Sequence, residues 1–152
     1  MKLASKLSVL LLVVFVLPAL VSAQCTDKCA GSCLKKAAEE FVKSVPGNEM
    51  FLMSIESLAE MVDGGKNDYV ILDIRPPQYY AAGHIESAMN IPLPMLVEKL
   101  NSVPTGKKIA VVCSLDTNSA FGVAVLRMHK RDAWIVEGGV NAWEGLGREL
   151  VK

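Results

Sequence analysis

The sequence predicts an α/β domain with a mainly parallel central sheet. Short apolar runs rich in Val and Ile alternate with segments of helical periodicity, the pattern of a sheet whose strands are linked by helices. Two runs, Tyr69–Asp73 and Ile109–Val112, are almost entirely apolar, which is typical of parallel strands covered on both faces. The 152 residues suggest one such domain, which we place at residues 49–150.

The first half of this domain has clear start and stop signals. Met50–Met53 is a candidate short strand, and Ser54 is a candidate N-cap with Glu56 in the first helical turn. The pairs Pro76-Pro77 and Pro92/Pro94 interrupt the chain, and each can open a helix at its first position. The predicted elements are a helix through about Val62, the strand Tyr69–Asp73, a short helix at Tyr79–Ala82, a strand at Ala88–Ile91 and a helix through about Leu100.

The second half is organised around the strand Ile109–Val112, which ends abruptly at Cys113. Small and polar residues follow, and a new apolar run from Ala120 to about His129 predicts a helix. A last strand at Trp134–Val136 and a helix around Asn141–Leu146 complete the domain.

The first 23 residues have the pattern of a signal peptide. Lys2 and Lys6 precede the apolar stretch Leu7–Val21, and Val21-Ser22-Ala23 offers small residues for cleavage before Gln24. The stretch is shorter than the roughly 20 residues of a transmembrane helix. We therefore expect an exported protein, periplasmic or extracellular, with no stable membrane span after cleavage. An uncleaved membrane anchor and a lipid-modified Cys25 stay open as alternatives.

Residues 24–48 form a cysteine-containing segment before the domain. Cys25, Cys29 and Cys33 recur every four residues, and a helix is predicted from about Leu34 to Val45. A disulfide within the cluster is the favoured interpretation, and three small buried hydrophobic residues or a metal site are the alternatives. The spacing matches no common zinc, iron–sulfur or haem pattern, so no metal or cofactor is predicted.

The position of Cys113 predicts a nucleophile. In parallel α/β sheets ligands bind beyond the carboxyl ends of the strands, which is where Cys113 falls. Backbone N–H groups and the dipole at a helix N-terminus favour an anionic sulfur there. The charge balance of 16 basic and 16 acidic residues, with no basic stripe, argues against a nucleic-acid partner.

Two sequence signatures flank Cys113. The N-terminal signature is Leu72-Asp73-Ile74-Arg75-Pro76, Tyr80, Gly83-His84-Ile85, Ala88 and Asn90-Ile91-Pro92, and the C-terminal one is Val136-Glu137-Gly138-Gly139 with Ala142-Trp143. Both resemble the signatures of the rhodanese-like family of single-domain sulfurtransferases. The resemblance implies a three-layer α/β domain that takes a sulfane sulfur from a donor, holds it as a persulfide on Cys113 and passes it to a thiophilic acceptor.

The loop that begins at Cys113 departs from the family pattern C-x-x-G-x-R followed by Ser. Asp116 stands at the glycine position and Asn118 at the arginine position, whereas Ser119 matches. Asn118 carries no charge for an anionic donor, and Asp116 repels one if it faces the pocket. We therefore expect poor turnover of thiosulfate and better use of a polysulfide or a protein persulfide. The predicted substrate-binding residues are Ser114, Leu115, Asp116, Thr117, Asn118 and Arg75.

The expected partners are small sulfur compounds, namely thiosulfate, polysulfide, cyanide and thiols, or a thiol of a partner protein. Arg75 either supplies part of the missing loop charge or pairs structurally with Asp73 or Glu137. The competing functions are a non-catalytic rhodanese-like binding module and a thiol–disulfide redox protein in which an N-terminal cysteine pairs with Cys113. A phosphatase or arsenate reductase is disfavoured, because its C-x5-R loop would need an arginine where Ser119 stands.

Overall fold

The computed structural model describes residues 27–47, 50–65 and 67–152. The predicted signal peptide, Cys25 and Asn48 lie outside these residues. Five strands form one sheet in the order β1-β5-β4-β2-β3, and every neighbouring pair is parallel. The strands are β1 (Leu52–Met53), β2 (Tyr69–Asp73), β3 (Met89–Asn90), β4 (Lys108–Val112) and β5 (Asp132–Val136).

Alternate residues of the central strands enter two separate cores. In β4, Ile109 and Val111 pack on one face, and Ala110 and Val112 pack on the other. All four are fully buried, which explains why the run carries no polar residue.

Helices cover both faces of the sheet, so the domain has three layers. Residues of α1 and α4 pack into the first core, and residues of α2 and α5 pack into the second. The predicted α/β class with a parallel central sheet is confirmed. The helices are α1 (Asp27–Ser44), α2 (Ile55–Asp63), α3 (Pro77–Ala82), α4 (Asp116–Met128) and α5 (Gly139–Gly145).

Three helical segments differ from the sequence prediction. Helix α1 begins at Asp27 rather than near Leu34. Helix α4 begins at Asp116 rather than Ala120, with an acidic residue in its first turn where the helix dipole favours it, so the Cys113 loop is shorter than predicted. The helix predicted after Pro92 is two 3₁₀ turns, Leu93–Met95 and Leu100–Ser102.

Helix α1 runs antiparallel to α4. Phe41 near its C-terminal end, and Val45 just beyond that end, lie beside Ala120 in the first half of α4. Its earlier residue Glu40 forms an ion pair with Lys130, just beyond the C-terminal end of α4. In the described ranges, no helix is long and apolar enough to cross a membrane.

Candidate active site

Cys113 lies at the carboxyl end of the central strand. Its side chain is only 5% exposed, and helix α4 begins three residues later. The backbone N–H groups of residues 114–117 have no protein hydrogen-bond partner within the described part of the chain. These groups belong to the segment that follows Cys113 and opens a 13-residue helix, which is a typical position for donors to an anion.

Asn118 is the side chain that contacts the sulfur. Its Nδ2 lies 3.7 Å from Cys113 Sγ and donates a hydrogen bond to it. Asn118 occupies the loop position where an arginine is usual in the family, so a hydrogen-bond donor is present there but the positive charge of an arginine is not. The sulfur therefore has a neutral hydrogen-bond partner rather than a cationic one.

A cavity of about 360 Å³ opens above Cys113. Four of the predicted substrate-binding residues line it, and Asp116 and Thr117 do not. Pro76 and Tyr79 line it as well, and the sequence did not identify them as site residues. The full lining is Arg75, Pro76, Tyr79, Cys113, Ser114, Leu115 and Asn118.

The guanidinium of Arg75 is committed to Asp73. Nε and Nη2 of Arg75 donate to both carboxylate oxygens of Asp73, the shortest contact being 2.6 Å, and Nη2 also donates to the Gly83 carbonyl at 2.8 Å. Both side chains are buried. A bidentate pair of this kind neutralises most of the arginine charge, so Arg75 acts as a structural wall of the cavity.

Asp116 is turned away from the cavity. Its Oδ1 accepts a hydrogen bond from the Gly138 N–H at 2.9 Å. The carboxylate therefore joins the Cys113 loop to the turn before α5, and its charge lies next to the N-terminus of α4, where it is favourable. The repulsion of an anionic donor expected for a pocket-facing Asp116 does not act at close range.

The start of α5 holds the Cys113 loop at two further points. Val140 N–H donates to the Cys113 carbonyl at 3.0 Å, and Asn141 Nδ2 donates to the Ser114 carbonyl at 3.3 Å. Gly139 lies between these contacts with φ +50°, and a Cβ built there would fall 1.8 Å from the Cys113 carbonyl oxygen. Only glycine allows this close approach. The Gly138-Gly139 pair could have been found from the sequence, but its contact with the Cys113 loop could not.

Tyr80 and His84, two further residues of the N-terminal signature, stabilise the nearby backbone through side-chain contacts. The Tyr80 hydroxyl donates to the Ala88 carbonyl at 2.6 Å, and the His84 ring stacks on Tyr80 with centroids 3.8 Å apart. Burial, and secondarily the negative charge of Asp73, raises the pKa of Tyr80, so the hydroxyl stays protonated and can donate. Neither Tyr80 nor His84 lines the cavity above Cys113.

Cys33, in α1, lies near the C-terminal end of α4. Cys33 is exposed and free, so it is not the small buried hydrophobic residue of one interpretation, and Cys29 lies within α1. Because α1 and α4 are antiparallel, Cys33 lies beyond the C-terminal end of α4 whereas Cys113 lies at its N-terminal end. Thirteen helical residues span about 20 Å, far more than a disulfide allows. Cys33 therefore cannot pair with Cys113 within this fold.

A parallel α/β sheet with a buried cysteine at the carboxyl end of its central strand, next to a helix N-terminus and a cavity, defines an α/β domain with a candidate ligand site at this edge of the sheet. The family model of the rhodanese-like domain matches residues 54–146. The chain thus belongs to the rhodanese-like family, as the two signatures predicted.

Relatives of known sequence and structure agree with this membership. The chain is 30% identical to thiosulfate sulfurtransferase GlpE of Pseudoalteromonas translucida over 101 residues, covering 66% of this chain and 94% of that protein. A rhodanese-related protein from Thermoplasma volcanium superimposes with a TM-score of 0.60 at 31% identity, covering 66% of this chain and 96% of the other.

Other relatives are longer than the matched region. The chain is 30% identical to the uncharacterized protein YqhL of Bacillus subtilis over 49% of its own length and 60% of that protein. It is also 30% identical to a probable molybdopterin-synthase adenylyltransferase from Porphyra purpurea, and the match covers 51% of this chain and 21% of that protein. The chain thus spans about a fifth to three fifths of these relatives, which share with it one domain.

Proposed function

We propose that this chain is an exported sulfurtransferase that carries sulfane sulfur as a persulfide on Cys113. The observation that carries the proposal is the free thiol of Cys113 at the base of a cavity, beside unpartnered N–H groups and within hydrogen-bond distance of Asn118. Membership of the rhodanese-like family and the likeness to a thiosulfate sulfurtransferase support the same reaction.

The reaction is a pair of exchanges at sulfur. The Cys113 thiolate attacks the outer sulfur of a donor R–S–S⁻, the donor S–S bond breaks, and R–S⁻ leaves with the bonding electron pair and takes up a proton from water. The new Cys113 persulfide is then attacked at its outer sulfur by a thiol or cyanide, and Cys113 thiolate is released. No external oxidant or reductant is consumed, because the sulfane sulfur is transferred without net electron exchange.

A non-catalytic binding module is the competing function. The altered loop is the observation in its favour, since Asn118 replaces the usual arginine. The retained thiol, its hydrogen bond to Asn118 and the open cavity favour transfer instead. Sulfur transfer from polysulfide to cyanide by the purified full chain separates the two functions, because a binding module gives no rate above the uncatalysed reaction.

The donor preference follows from the missing charge. Arg75 is neutralised by Asp73 and Asn118 is uncharged, so we expect thiosulfate to be a poorer donor than polysulfide. Replacing Asn118 with arginine adds a charged donor beside the sulfur, worth about 1.5–3 kcal/mol, and should raise the thiosulfate rate relative to the polysulfide rate about 10- to 100-fold. Cyanide-dependent turnover with each donor measures this ratio.

The matched control for this substitution is Asn118→Gln, which lengthens the side chain without adding charge and should leave the donor ratio near that of the natural chain. A natural chain that turns over thiosulfate as fast as polysulfide contradicts the proposed donor preference. So does an unchanged ratio in the arginine variant.

Export is proposed from residues 1–23 alone, with cleavage before Gln24. N-terminal sequencing of the protein recovered from cells that export it should begin at Gln24. A protein recovered with Met1 or with a lipid on Cys25 contradicts the proposal and identifies one of the two alternatives. Cys33 is a free thiol in the structure. The disulfide predicted within the cluster of Cys25, Cys29 and Cys33 stays a prediction that non-reducing peptide mapping of the same sample tests.

A further inference from the structure

Two residues of α5 hold consecutive backbone carbonyl groups of the Cys113 loop. Val140 N–H donates to the Cys113 carbonyl at 3.0 Å, and the side-chain amide of Asn141 donates to the Ser114 carbonyl at 3.3 Å. Gly139 fits closely against the same Cys113 carbonyl. Both carbonyl groups therefore point toward the start of α5.

The direction of these carbonyl groups fixes the direction of the next two N–H groups. In a trans peptide the C=O and the N–H that follows it lie in one plane and point in opposite directions. Both peptide bonds are trans, so the N–H groups of Ser114 and Leu115 point away from α5. Neither N–H has a protein hydrogen-bond partner in the part of the chain that the structure describes.

The cavity above Cys113 lies outside the reach of α5. Ser114 and Leu115 line this cavity, whereas no residue of α5 does. Two free N–H groups thus belong to the cavity wall and are turned away from the helix that holds their carbonyl partners. They are important donors for an anionic sulfur, because Arg75 is already paired with Asp73 and the amide of Asn118 carries no charge.

Asp116 holds the other end of the same loop. Its Oδ1 accepts a hydrogen bond from the N–H of Gly138, in the turn just before α5, at 2.9 Å. Asp116 stands at the loop position where a glycine is usual in the family, and a glycine has no side chain that could form this contact. Residues 113–116 are therefore attached at both ends to the start of α5.

Building on the proposed function, we infer that Asn141 and Asp116 are positioning residues of the Cys113 site. They fix the loop so that the N–H groups of Ser114 and Leu115 face the cavity. There these groups donate to the anionic sulfur of a polysulfide and to the outer sulfur of the Cys113 persulfide. Asn141 and Asp116 do not line the cavity themselves, so they act through the loop backbone.

Two alkylating reagents that differ in charge measure this orientation. Iodoacetate is an anion, iodoacetamide is neutral, and both react with the same thiolate. The ratio of their rates therefore cancels the amount of thiolate and reports how well the site accepts an anion. Both rates are measured at Cys113 in the full chain, by mass spectrometry of the peptide that contains it.

Asn141→Ala should lower the iodoacetate-to-iodoacetamide ratio about 2- to 10-fold, the change expected when one hydrogen bond to an anion is lost. Asn101→Ala is the matched control, because Asn101 is also an exposed asparagine and does not line the cavity. The control should keep the ratio of the natural chain. An unchanged ratio in Asn141→Ala overturns the role of Asn141, and so does an equal fall in the control.

Two uncharged replacements test Asp116. Asp116→Asn keeps a side-chain oxygen that can accept from Gly138 N–H, whereas Asp116→Ala removes it, and both remove the same negative charge. The ratio should be about 2- to 10-fold higher in the asparagine variant than in the alanine variant. Equal ratios in these two variants overturn the role of Asp116.

Loading of Cys113 from polysulfide separates the positioning from the proposed function. Asn141→Ala should load more slowly than the natural chain, by a factor similar to the change in the alkylation ratio. Loading that is absent in every chain overturns the proposed function, while a changed ratio still supports the positioning, because alkylation requires no sulfur transfer. An equal change of both alkylation rates in Asn141→Ala means a general loosening of the loop and overturns the positioning.

Discussion

Replacing Cys113 with serine is expected to reduce sulfur transfer from polysulfide to cyanide to the uncatalysed rate, a loss of at least about a thousandfold. The serine hydroxyl has nearly the same shape, so the buried site and the cavity should be preserved. It is not a nucleophile toward sulfur under these conditions and cannot hold a persulfide. Steady-state turnover of the purified full chain measures the loss.

Cys33→Ser is the matched control for this substitution. Cys33 is a free, exposed thiol at the opposite end of α4, so its replacement should leave turnover unchanged. The melting temperatures of both variants should stay near that of the natural chain. A Cys113→Ser protein that retains substantial turnover contradicts the assignment of the nucleophile, and a loss in the Cys33 variant points to a thiol-relay reaction instead.

Gly139→Ala is expected to have the largest effect on stability. The new methyl group would meet the Cys113 carbonyl oxygen at 1.8 Å, and backbone cannot move aside as a side chain can. Overpacking costs about 1–3 kcal/mol, and the left-handed conformation costs an alanine about 1–2 kcal/mol. We expect the free energy of unfolding to fall by about 3 kcal/mol or more, and sulfur loading to fall because the loop is displaced. Urea denaturation measures the first effect.

Gly147→Ala separates the clash from the conformational strain. Gly147 also has a positive φ, +74°, but a Cβ there meets nothing within 4 Å. Its replacement should cost about 1–2 kcal/mol and leave sulfur loading unchanged. Equal destabilisation in the two variants would mean that Gly139 does not support the Cys113 loop through close contact.

The sequence predicted most accurately the strands that lie at the buried centre of the sheet. β2 and β4 lie at the centre of the sheet, so both faces must be apolar and the runs are unmistakable. The prediction of Cys113 as the end of the central strand followed directly from this. The short edge strands are less distinct in sequence, and β3 is two residues long, shorter than the predicted strand at Ala88–Ile91.

The sequence could not predict what depends on contacts distant along the chain. Asp116 was interpreted by its place in the loop, but its direction is set by the N–H of Gly138, 22 residues later. The sequence leaves open whether Arg75 supplies charge to the site or pairs with Asp73 or Glu137, and the bidentate contact with Asp73 decides between these roles. Helix α1 lies along α4 and brings Glu40 to Lys130, and no local pattern in the sequence indicates that packing.

The structure argues against a thiol–disulfide redox protein in which Cys33 pairs with Cys113. A resolving cysteine must reach within disulfide distance of the nucleophile, and α1 carries Cys33 away from Cys113 by the length of α4. The cavity above Cys113 and the hydrogen bond from Asn118 to its sulfur favour a sulfur carrier instead.

Locating the transferred sulfur tests the persulfide mechanism most directly. The full chain is incubated with polysulfide, its thiols and persulfides are alkylated, and the digested peptides are weighed by mass spectrometry. One extra sulfur atom should be found on the peptide that contains Cys113, and it should disappear after treatment with cyanide or a reductant. Extra sulfur confined to the peptides of Cys25, Cys29 and Cys33, or found on no peptide, would contradict a persulfide carried on Cys113.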